Sequence, residues 1–563
     1  MQEYRIFGPP GTGKTHRLVT RDIPRAVERF GSDRVMITSF TRAAARELAS
    51  RVDPQTPAGE EQLNRQGAEG GTARPDTHHP PTVGTLHSIC WNALGRPELH
   101  LKHLDEWNQQ NPSMPMRGSA QGTLWEEGGE DPNAGGELGD TLLGEMQLLR
   151  ARLTPPEMWP LRIQVFAKRW EDFKGQLGLM DFTDLLEVCL REMDHAPGNP
   201  AVMFLDEAQD ADGLQLKLFR HWAQNAEWSV LAGDDDQTIF EWAGSSPQFF
   251  LTPAVDARHK TVLTQSYRVP RAVHRRAVEL TERISLREPK EYLPRPEDGE
   301  LAMSPYGWRL PMSIMNEVEE QLSQGRSVMI LASCAYMLDP AKAELRNRAI
   351  PFHNPYRKTR GDWNPLAPSS ANSVSARDLL LSFLGHGEDG PYWSVPRLLS
   401  WVKYLQVGPT GLVRAKGKKA IAALQQALED NVPGAHTSRE VLAHILSPEA
   451  IEPALARNLD WLIDNISNQR RKGLDFPLRV LRRGGLRDLE QTPRVVLGTI
   501  HSVKGGEADT VILYPDLSPK SLSEWGEGRP AFKDYVRRVF YVAMTRARQR
   551  LVLCGPSGGG VRF

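Results

Sequence analysis

Cysteine is scarce in this chain. Four occur in 563 residues, Cys90, Cys189, Cys334 and Cys554, and they stand far apart. That scatter excludes a disulfide framework and paired metal-ligand spacing, and it makes a reducing, cytoplasmic compartment the expectation. His87 lies three residues before Cys90, and His78 adjoins His79. Neither is joined by a second ligand pair, so no resident metal centre of that kind is expected. Charge of one sign is lacking too. The 69 Lys and Arg are balanced by 70 Asp and Glu, a net of −1. The chain as a whole does not advertise a polyanionic partner, although a local groove in a multidomain protein still can. No apolar run approaches the ~18 residues of a membrane span, and the opening MQEYRIFGPP lacks the core of a secretory leader. No membrane partner is expected, and no internal repeat is evident.

What is present reads as a soluble α/β chain. Its 40% hydrophobic and 25% charged content is that of a globular protein, and the length allows several domains of ~150 residues. YRIFG at the start predicts a short buried strand, then a glycine turn and a helix over 14–30. VMITSF (35–40) predicts a second strand, and TRAAARELASRV (41–52) a helix from its alanine content and apolar spacing. AVMFLDEA (201–208), SVLAGD (229–234) and TVLTQSYR (261–268) have strand length and apolar character. So do RVVLGTI, DTVILY and RLVLCGP near the end, with a helix DYVRRVFYVAMTRA between the last two. Continuous Val/Leu/Ile runs alternating with helices predict parallel sheets covered on both faces. They fall into two groups, which predicts two α/β domains. Residues 53–82 and much of 108–140 are rich in Gly, Pro and polar residues and predict loops. Residues 141–180 and 358–487 predict helices without the buried-strand pattern, as insertions into the two α/β domains.

GPPGTGKT (8–15) fits the spacing G-x-x-x-x-G-K-[ST] between a strand and a helix, the context that gives this motif its meaning. Backbone amides of Gly11, Gly13 and Lys14 can wrap phosphate oxygens at the helix start. Lys14 supplies a cation, and the Thr15 hydroxyl can ligate Mg²⁺. VMFLDEAQD (202–210) ends an apolar strand in two carboxylates. At the C-terminal edge of a parallel sheet they face the phosphate crevice. Asp206 would hold Mg²⁺, and Glu207 would orient and deprotonate an attacking water, a hydrolase role. LTQSYR (263–268) ends in Tyr267 and Arg268, and the late helix carries Arg537, Arg538, Arg546 and Arg548. Arg546 falls on the flank of that helix's apolar stripe, where it can reach a facing domain. Helical-wheel geometry alone makes solvated surface the expectation for each of these arginines. In AGDDDQTIFEWAG (232–244), three carboxylates precede an amide, Gln237, and an indole, Trp242, five residues on. Neither a metal cage nor a plain turn requires that pair.

Taken in order, GPPGTGKT, SFTRAAARE, GTLHS, DFTDLL, FLDEAQD, GDDDQTIFEWAG, LTQSYR, GTIHSVKGGEAD and FYVAMTRAR resemble the superfamily 1 DNA helicases of the UvrD/Rep/PcrA type. The resemblance implies two RecA-like motor domains of the P-loop NTPase class. These would be 1A over 1–87 and 181–255, and 2A over 256–357 and 488–563, with mostly helical accessory domains 1B over 88–180 and 2B over 358–487. It implies ATP, with Mg²⁺, bound by Gly8, Pro9, Pro10, Gly11, Thr12, Gly13, Lys14 and Thr15. It further implies Gln237 as a γ-phosphate sensor, Tyr267 beside adenine, Glu507 on ribose, and Arg268 and Arg546 as γ-phosphate fingers. Phe40, Thr41, Thr85, His87, Trp242, Thr499 and His501 would contact single-stranded DNA, with Trp242 stacking on a base. Thr499, His501 and Lys504 would link the second motor domain to DNA and nucleotide. The Asp cluster would brace the turn, with Asp234 or Asp235 near the Mg²⁺ shell.

The resemblance implies an ATP-dependent 3′→5′ translocase and helicase on single strands and single-strand/duplex junctions, working with replication, repair or recombination proteins. Alternatives are a protein-displacing or recombination translocase with little unwinding, and an ATP-gated DNA-binding protein that loads partners. A small-molecule P-loop kinase leaves TIHSVKGGEAD and FYVAMTRAR unexplained, and no nuclease constellation follows them. Three departures from the family stand out. Only seven residues precede Gly8, and the family's adenine-reading glutamine segment has no counterpart there, which predicts weak discrimination among nucleoside triphosphates. Ala243 follows Trp242 where an arginine is common. Gly506 replaces an apolar residue.

Overall fold

The structure is a computed structural model. It describes residues 2–40, 45, 48, 81–118, 137–357, 361–370, 373–385, 392–412, 416–430 and 437–561. The helix expected over 41–52 lies outside these residues except for Ala45 and Leu48, which are helical, and so does most of the loop expected over 53–82. The chain forms two compact units. One comprises Met1–Leu310, Met329–Leu338 and Gly498–Phe563, the other Pro311–Val328 and Asp339–Leu497.

In the first unit, the apolar runs form β1 (Gln2–Phe7), β2 (Val35–Ser39), β3 (Thr82–Gly84), β4 (Val202–Asp206), β5 (Trp228–Gly233) and β6 (Lys260–Val262). They lie side by side in the order β3-β2-β4-β5-β1-β6, with every neighbouring pair parallel. Successive residues of a strand point to opposite faces, and both faces are filled. Ile6, Ile37, Phe204 and Val230 pack with Leu18 and Ala26 on one side. Phe7, Met36 and Leu205 pack with Leu86, Leu186 and Phe219 on the other. The loop expected over 53–82 ends in the first residue of β3, whose three residues are too few to show a pattern; the strand is fixed by pairing Met36 with Thr82.

The helix expected over 14–30 is broken. α1 (Lys14–Arg17) runs into a π turn over Leu18–Asp22 before α2 (Ile23–Phe30). Pro24 has no N–H to donate one turn back, and the Ile23 N–H reaches Leu18 O, five residues earlier. The strand expected over 261–268 is likewise two strands. After β6, Leu263 N–H bonds Phe7 O, and the chain then leaves the first sheet as β7 (Gln265–Pro270), which pairs with β8 (Leu293–Arg295). A run of apolar residues does not reveal where a chain changes partners.

Of the remaining strands, β9 (Glu300–Ser304), β10 (Val328–Ala332), β11 (Phe352–His353), β12 (Val495–Thr499), β13 (Ala508–Leu513) and β14 (Ala547–Cys554), four make a second row. In the first unit it runs β10-β13-β14-β9, the two pairs around β14 parallel. The helices of this unit include α3 (Leu86–Ala93), α4 (Leu138–Ala151), α5 (Leu161–Leu177), α6 (Phe182–Glu192), α7 (Gly213–Ala223), α8 (Arg271–Thr281) and α9 (Pro530–Met544).

α4 and α5 build a separate small core with Trp107, Phe166, Trp170 and Phe173. It is tied to α6 by ions. Asp181 caps α6 and shares a capping box with Asp184. Arg150 reaches Asp181, Asp184 and Glu187 at 3.1, 2.7 and 2.6 Å. Lys174 reaches Asp181 and Asp184 at 3.1 and 2.5 Å. These cations occupy the space among Glu171, Asp181 and Asp184, so that carboxylate group is an ion cluster rather than a metal cage. Removing one buried partner of such a cluster costs about 3–5 kcal/mol.

The second unit is helical over most of the segment where helices were expected, with Ala376–Leu384, Val395–Val402, Lys416–Glu429, Arg439–Ile445, Pro448–Leu455, Leu459–Asn465 and Asn468–Gly484. Phe383, Trp393, Trp401 and Trp461 contact one another at its centre. Within this unit β11 pairs in parallel with the start of β12.

Candidate nucleotide and nucleic-acid site

The glycine loop leaves β1 at the C-terminal edge of the sheet, where Gly8 N–H bonds Gly233 O at 3.1 Å. Gly11 and Gly13 hold φ of 74° and 80°, a region open chiefly to glycine. Gly11 has a second reason. A Cβ there would lie 2.5 Å from Arg268 Cβ, because β7 crosses close by and Tyr267 N–H bonds Gly11 O at 2.8 Å. Thr12 Oγ1 closes the loop onto Pro9 O at 2.8 Å, and Ser266 Oγ and Tyr292 OH both donate to Pro10 O, at 2.9 and 3.0 Å. Lys14 Nζ lies on Gly8 O at 2.6 Å.

Thr15 Oγ1 donates to Asp206 Oδ2 at 2.7 Å. This hydroxyl–carboxylate pair at the end of β4 is the oxygen donor set that Mg²⁺ takes. Burial and the neighbouring Glu207 push the Asp206 carboxyl up to about 6. Glu207 is held at φ 54°, uncommon for a non-glycine residue and characteristic of functional sites. Burial opposes its charge, but Lys14 and Lys504, with Gln209 and Arg546, outweigh that and hold its carboxyl below the ordinary range. Gln209 Nε2 donates to Glu207 Oε2 at 2.5 Å, while Gln209 Oε1 accepts from Asp234 N at 3.0 Å. The amide thus fixes the carboxylate's direction. Gln209 was passed over in the sequence, although an amide two residues after a candidate base is a readable signal.

Gln237 forms the junction with the late helix. Its Nε2 donates to Asp234 Oδ2 at 2.7 Å, and its Oε1 accepts from Arg546 Nη2 at 2.9 Å. Arg546 is 2% exposed and also donates to Val542 O and Gly506 O, at 2.9 and 3.3 Å. Lys504 Nζ reaches Asp210 Oδ1 at 2.5 Å and Gln237 O at 2.6 Å. Burial still pushes Asp210 up to about 7 against the pull of that lysine. Lys14, Thr15, Asp206, Glu207, Gln237 and Arg546 therefore converge on one crevice.

Arg268 and Glu507 pair with each other at 2.6 Å, and Glu507 also takes Arg548 at 3.2 Å. Tyr267 is 75% exposed beside the loop.

The Asp cluster braces the turn. Asp234, Asp235 and Asp236 are buried, and Lys290 Nζ lies 3.1, 2.6 and 2.8 Å from them. Arg287 adds a contact to Asp236 at 2.7 Å, and Glu288 N–H donates to Asp235. The bracing expected of the cluster is visible in these contacts, with Gln237 and Lys290 on the oxygens of Asp234, and Lys290 and Glu288 N–H on those of Asp235. Lys290 lies 54 residues beyond Asp236 and carries no local signal. Arg538 and Arg546 correct the helical-wheel expectation. Each is 2% exposed rather than solvated.

A shelf of aromatic rings lies next to this crevice. Phe40 and Phe240 are 5.4 Å apart, Phe240 and Trp242 5.9 Å, and Trp242 and His501 6.4 Å. Lys504 sits 5.1 Å over Phe240. His501 Nε2 meets Tyr535 OH at 3.0 Å, and burial with Lys504 pulls the imidazole down to about 4. The Trp242 indole N–H is buried with no hydrogen-bond partner among the described residues. Thr85 caps α3 by accepting Ser88 N–H at 3.2 Å, and His87 contacts Gln215 at 3.4 Å. Thr499 is buried and takes Ser502 N–H at 3.3 Å. Thr41 lies outside the described residues.

Comparison with known proteins agrees with this geometry. Residues 2–243 match the family model described as AAA domain, and residues 419–555 match that of the UvrD-like helicase C-terminal domain. The chain is 21% identical to a probable DNA helicase II homolog of Mycoplasma capricolum subsp. capricolum, over 98% of this chain and 81% of that one. It is 21% identical to the putative ATP-dependent DNA helicase YjcD of Bacillus subtilis, over 98% and 76%. It is 23% identical to the ATP-dependent DNA helicase PcrA of the same organism, over 52% and 39%. With the two models matched in order and relatives named as DNA helicases, this chain is similar to the superfamily 1 helicases of the UvrD/Rep/PcrA type.

Proposed function

We propose that this protein is an ATP-dependent DNA helicase that moves 3′→5′ along single-stranded DNA and unwinds the duplex ahead of it. The observation that carries the reading is Gln237. Its amide touches Arg546 on one side and Asp234 on the other, five residues before the Trp242 ring. One short segment therefore has a nucleotide end and an aromatic end.

In this reading the glycine loop and Lys14 hold the phosphates of ATP, with Tyr267 beside the base and Glu507 on the ribose. Arg268 and Arg546 stabilise charge that develops on the γ-phosphoryl group, the role such fingers play in phosphoryl transfer. Glu207, aimed by Gln209, takes a proton from the attacking water. Thr15 and Asp206 would hold Mg²⁺, which when bound neutralises charge on the phosphate oxygens. Arg546 changes its partners as phosphate comes and goes, and Gln237 carries that change into the Phe240–Trp242 segment. Phe40, Trp242 and His501, with Thr41, Thr85, His87 and Thr499, grip the strand. Base stacking tolerates any sequence and is worth about 1–3 kcal/mol per base, which suits a motor.

The division into 1A (1–87, 181–255), 1B (88–180), 2A (256–357, 488–563) and 2B (358–487) belongs to the same proposal, as do protein partners in replication, repair or recombination. Strand displacement with ATP tests it. Duplexes with a 3′ single-stranded tail are expected to be unwound, and those with only a 5′ tail are not. Unwinding of the 5′-tailed substrate alone contradicts the polarity. Displacement of a bound protein without unwinding favours the translocase alternative.

A further inference from the structure

The buried Arg538 has no role in the phosphate chemistry, yet it is among the most committed side chains of the first unit. It projects from the middle of α9, the helix that leads directly into Arg546. Its Nε donates to Asp235 O at 3.1 Å, its Nη2 to Leu286 O at 2.6 Å, and its Nη1 reaches Glu241 Oε1 at 3.4 Å. Glu241 opens the single helical turn that carries Trp242. The main-chain oxygen of that glutamate takes Arg152 Nη2 at 2.7 Å. Burial pushes the Glu241 carboxyl up to about 7, against the pull of Arg538 and Arg152.

We infer that Glu241 and Arg538 form a positioning strut that makes the orientation of Trp242 follow the state of the nucleotide crevice. α9 and the turn that ends it touch the Asp235–Trp242 segment at two separated points, Arg538 on Asp235 O and Glu241, and Arg546, two residues past the helix end, on Gln237. Tyr535, one turn before Arg538, touches His501 beside Trp242. Arg546 is tied to the last turn of that helix by its bond to Val542 O, and a helix is stiff along its axis, so a change at Arg546 is passed to Arg538. The bond to Asp235 O anchors the helix to the loop, and the bond to Leu286 O anchors it to the segment that follows α8. The longer bond to Glu241 is the contact that can tighten or release without unfolding anything. Because Glu241 adjoins Trp242 in the chain, tightening it turns the indole. Gln237 alone would have to pass the same motion through the irregular backbone of Thr238, Ile239 and Phe240.

The inference rests on the motor reading above, and its test separates the two. The affinity of a fluorescein-labelled oligothymidylate is measured by anisotropy, with and without a non-hydrolysable ATP analogue and Mg²⁺. In the wild type, saturating analogue is expected to change the affinity by about 5–150-fold, the usual range for coupled sites. Glu241→Gln keeps shape and removes charge. It is expected to hold the analogue-free affinity within about twofold while the coupling factor falls toward one. In Arg538→Gln, which also gives up two main-chain bonds, the coupling factor is expected to fall as far, and adding Glu241→Gln to it is expected to change the coupling no further, since the two residues share one contact. A merely structural pair would instead lower the melting temperature and weaken binding alike with and without analogue, and that outcome overturns the strut. A wild-type coupling factor in folded Glu241→Gln also overturns it and leaves the motor reading intact. Absence of coupling in the wild type overturns both.

Discussion

The crevice and the aromatic shelf adjoin each other and are built on opposite terms. In the crevice nearly every polar group has a partner at hydrogen-bond distance. Thr15 is on Asp206, Gln209 on Glu207, Lys504 on Asp210 and Arg546 on Gln237. On the shelf the rings are spaced at 5.4–6.4 Å and the Trp242 N–H is left without a partner. The difference reflects what each must recognise. Phosphate charge is fixed in place, and charges set beforehand in a water-poor site act on it most strongly. A strand that must slip offers different bases at each step, and a ring face accepts any of them.

The comparison breaks most visibly at Glu207. Glu207→Gln is expected to lower ATP turnover by about 10²–10⁴-fold, the usual worth of a general base, while single-strand affinity stays within a few-fold. Steady-state ATPase and anisotropy measurements check this. A variant that hydrolyses ATP normally would remove the carboxylate from the chemistry. Trp242→Ala attacks the other side. It is expected to weaken single-strand binding by about 5–150-fold, the equivalent of one lost base stack, with nucleotide affinity retained. Equal losses at both sites would mean that the indole is core packing.

A smaller effect concerns which fuel is burned. Arg268, Glu507 and the exposed Tyr267 are the groups beside the loop, and a tyrosine face does not tell one purine from another. ATP and GTP are expected to give kcat/KM values within about tenfold, because without a hydrogen bond that reads the base edge little discrimination is available. Strict preference for ATP would point to a base-reading group elsewhere. The smallest effect is on stability. His501 is pulled from 6.5 to about 4 in the folded chain. Between those values the unfolded chain binds a proton that the folded chain refuses, so this residue's contribution to stability is lost as pH falls through that window. The raised carboxyls of Asp210 and Asp212 act in the opposite sense, so the wild type must be compared with a variant. Denaturant midpoints at pH 7 and pH 5 are expected to show a smaller acid loss, on the order of 1 kcal/mol, in His501→Asn. An unchanged loss would place the proton elsewhere.

The parts legible in the sequence are those whose meaning is local. The glycine loop, the Asp206–Glu207 strand end and the Gln237-to-Trp242 spacing each announce themselves within a dozen residues, and the structure brings their side chains to one crevice and its neighbouring shelf. What escaped depends on distant chain. The Asp cluster reads as a brace for its turn, but the cations that neutralise it, Lys290 and Arg287, come from beyond it. Arg538 reads as solvated because a wheel knows only its own helix. The partners that bury this arginine, Asp235 O and Leu286 O, are some 250–300 residues earlier. The 261–268 run divides between two sheets for the same reason. Periodicity reports burial but not which neighbour supplies it.

The central claim is that ring contacts on the strand and the carboxylate at the phosphates are two ends of one device. The most direct measurement is the ATP turnover of the wild type as single-stranded DNA is titrated in. A many-fold, saturable rise, with its midpoint at the concentration where the strand binds, is the result this account predicts. Turnover that stays flat while the strand is demonstrably bound would contradict it.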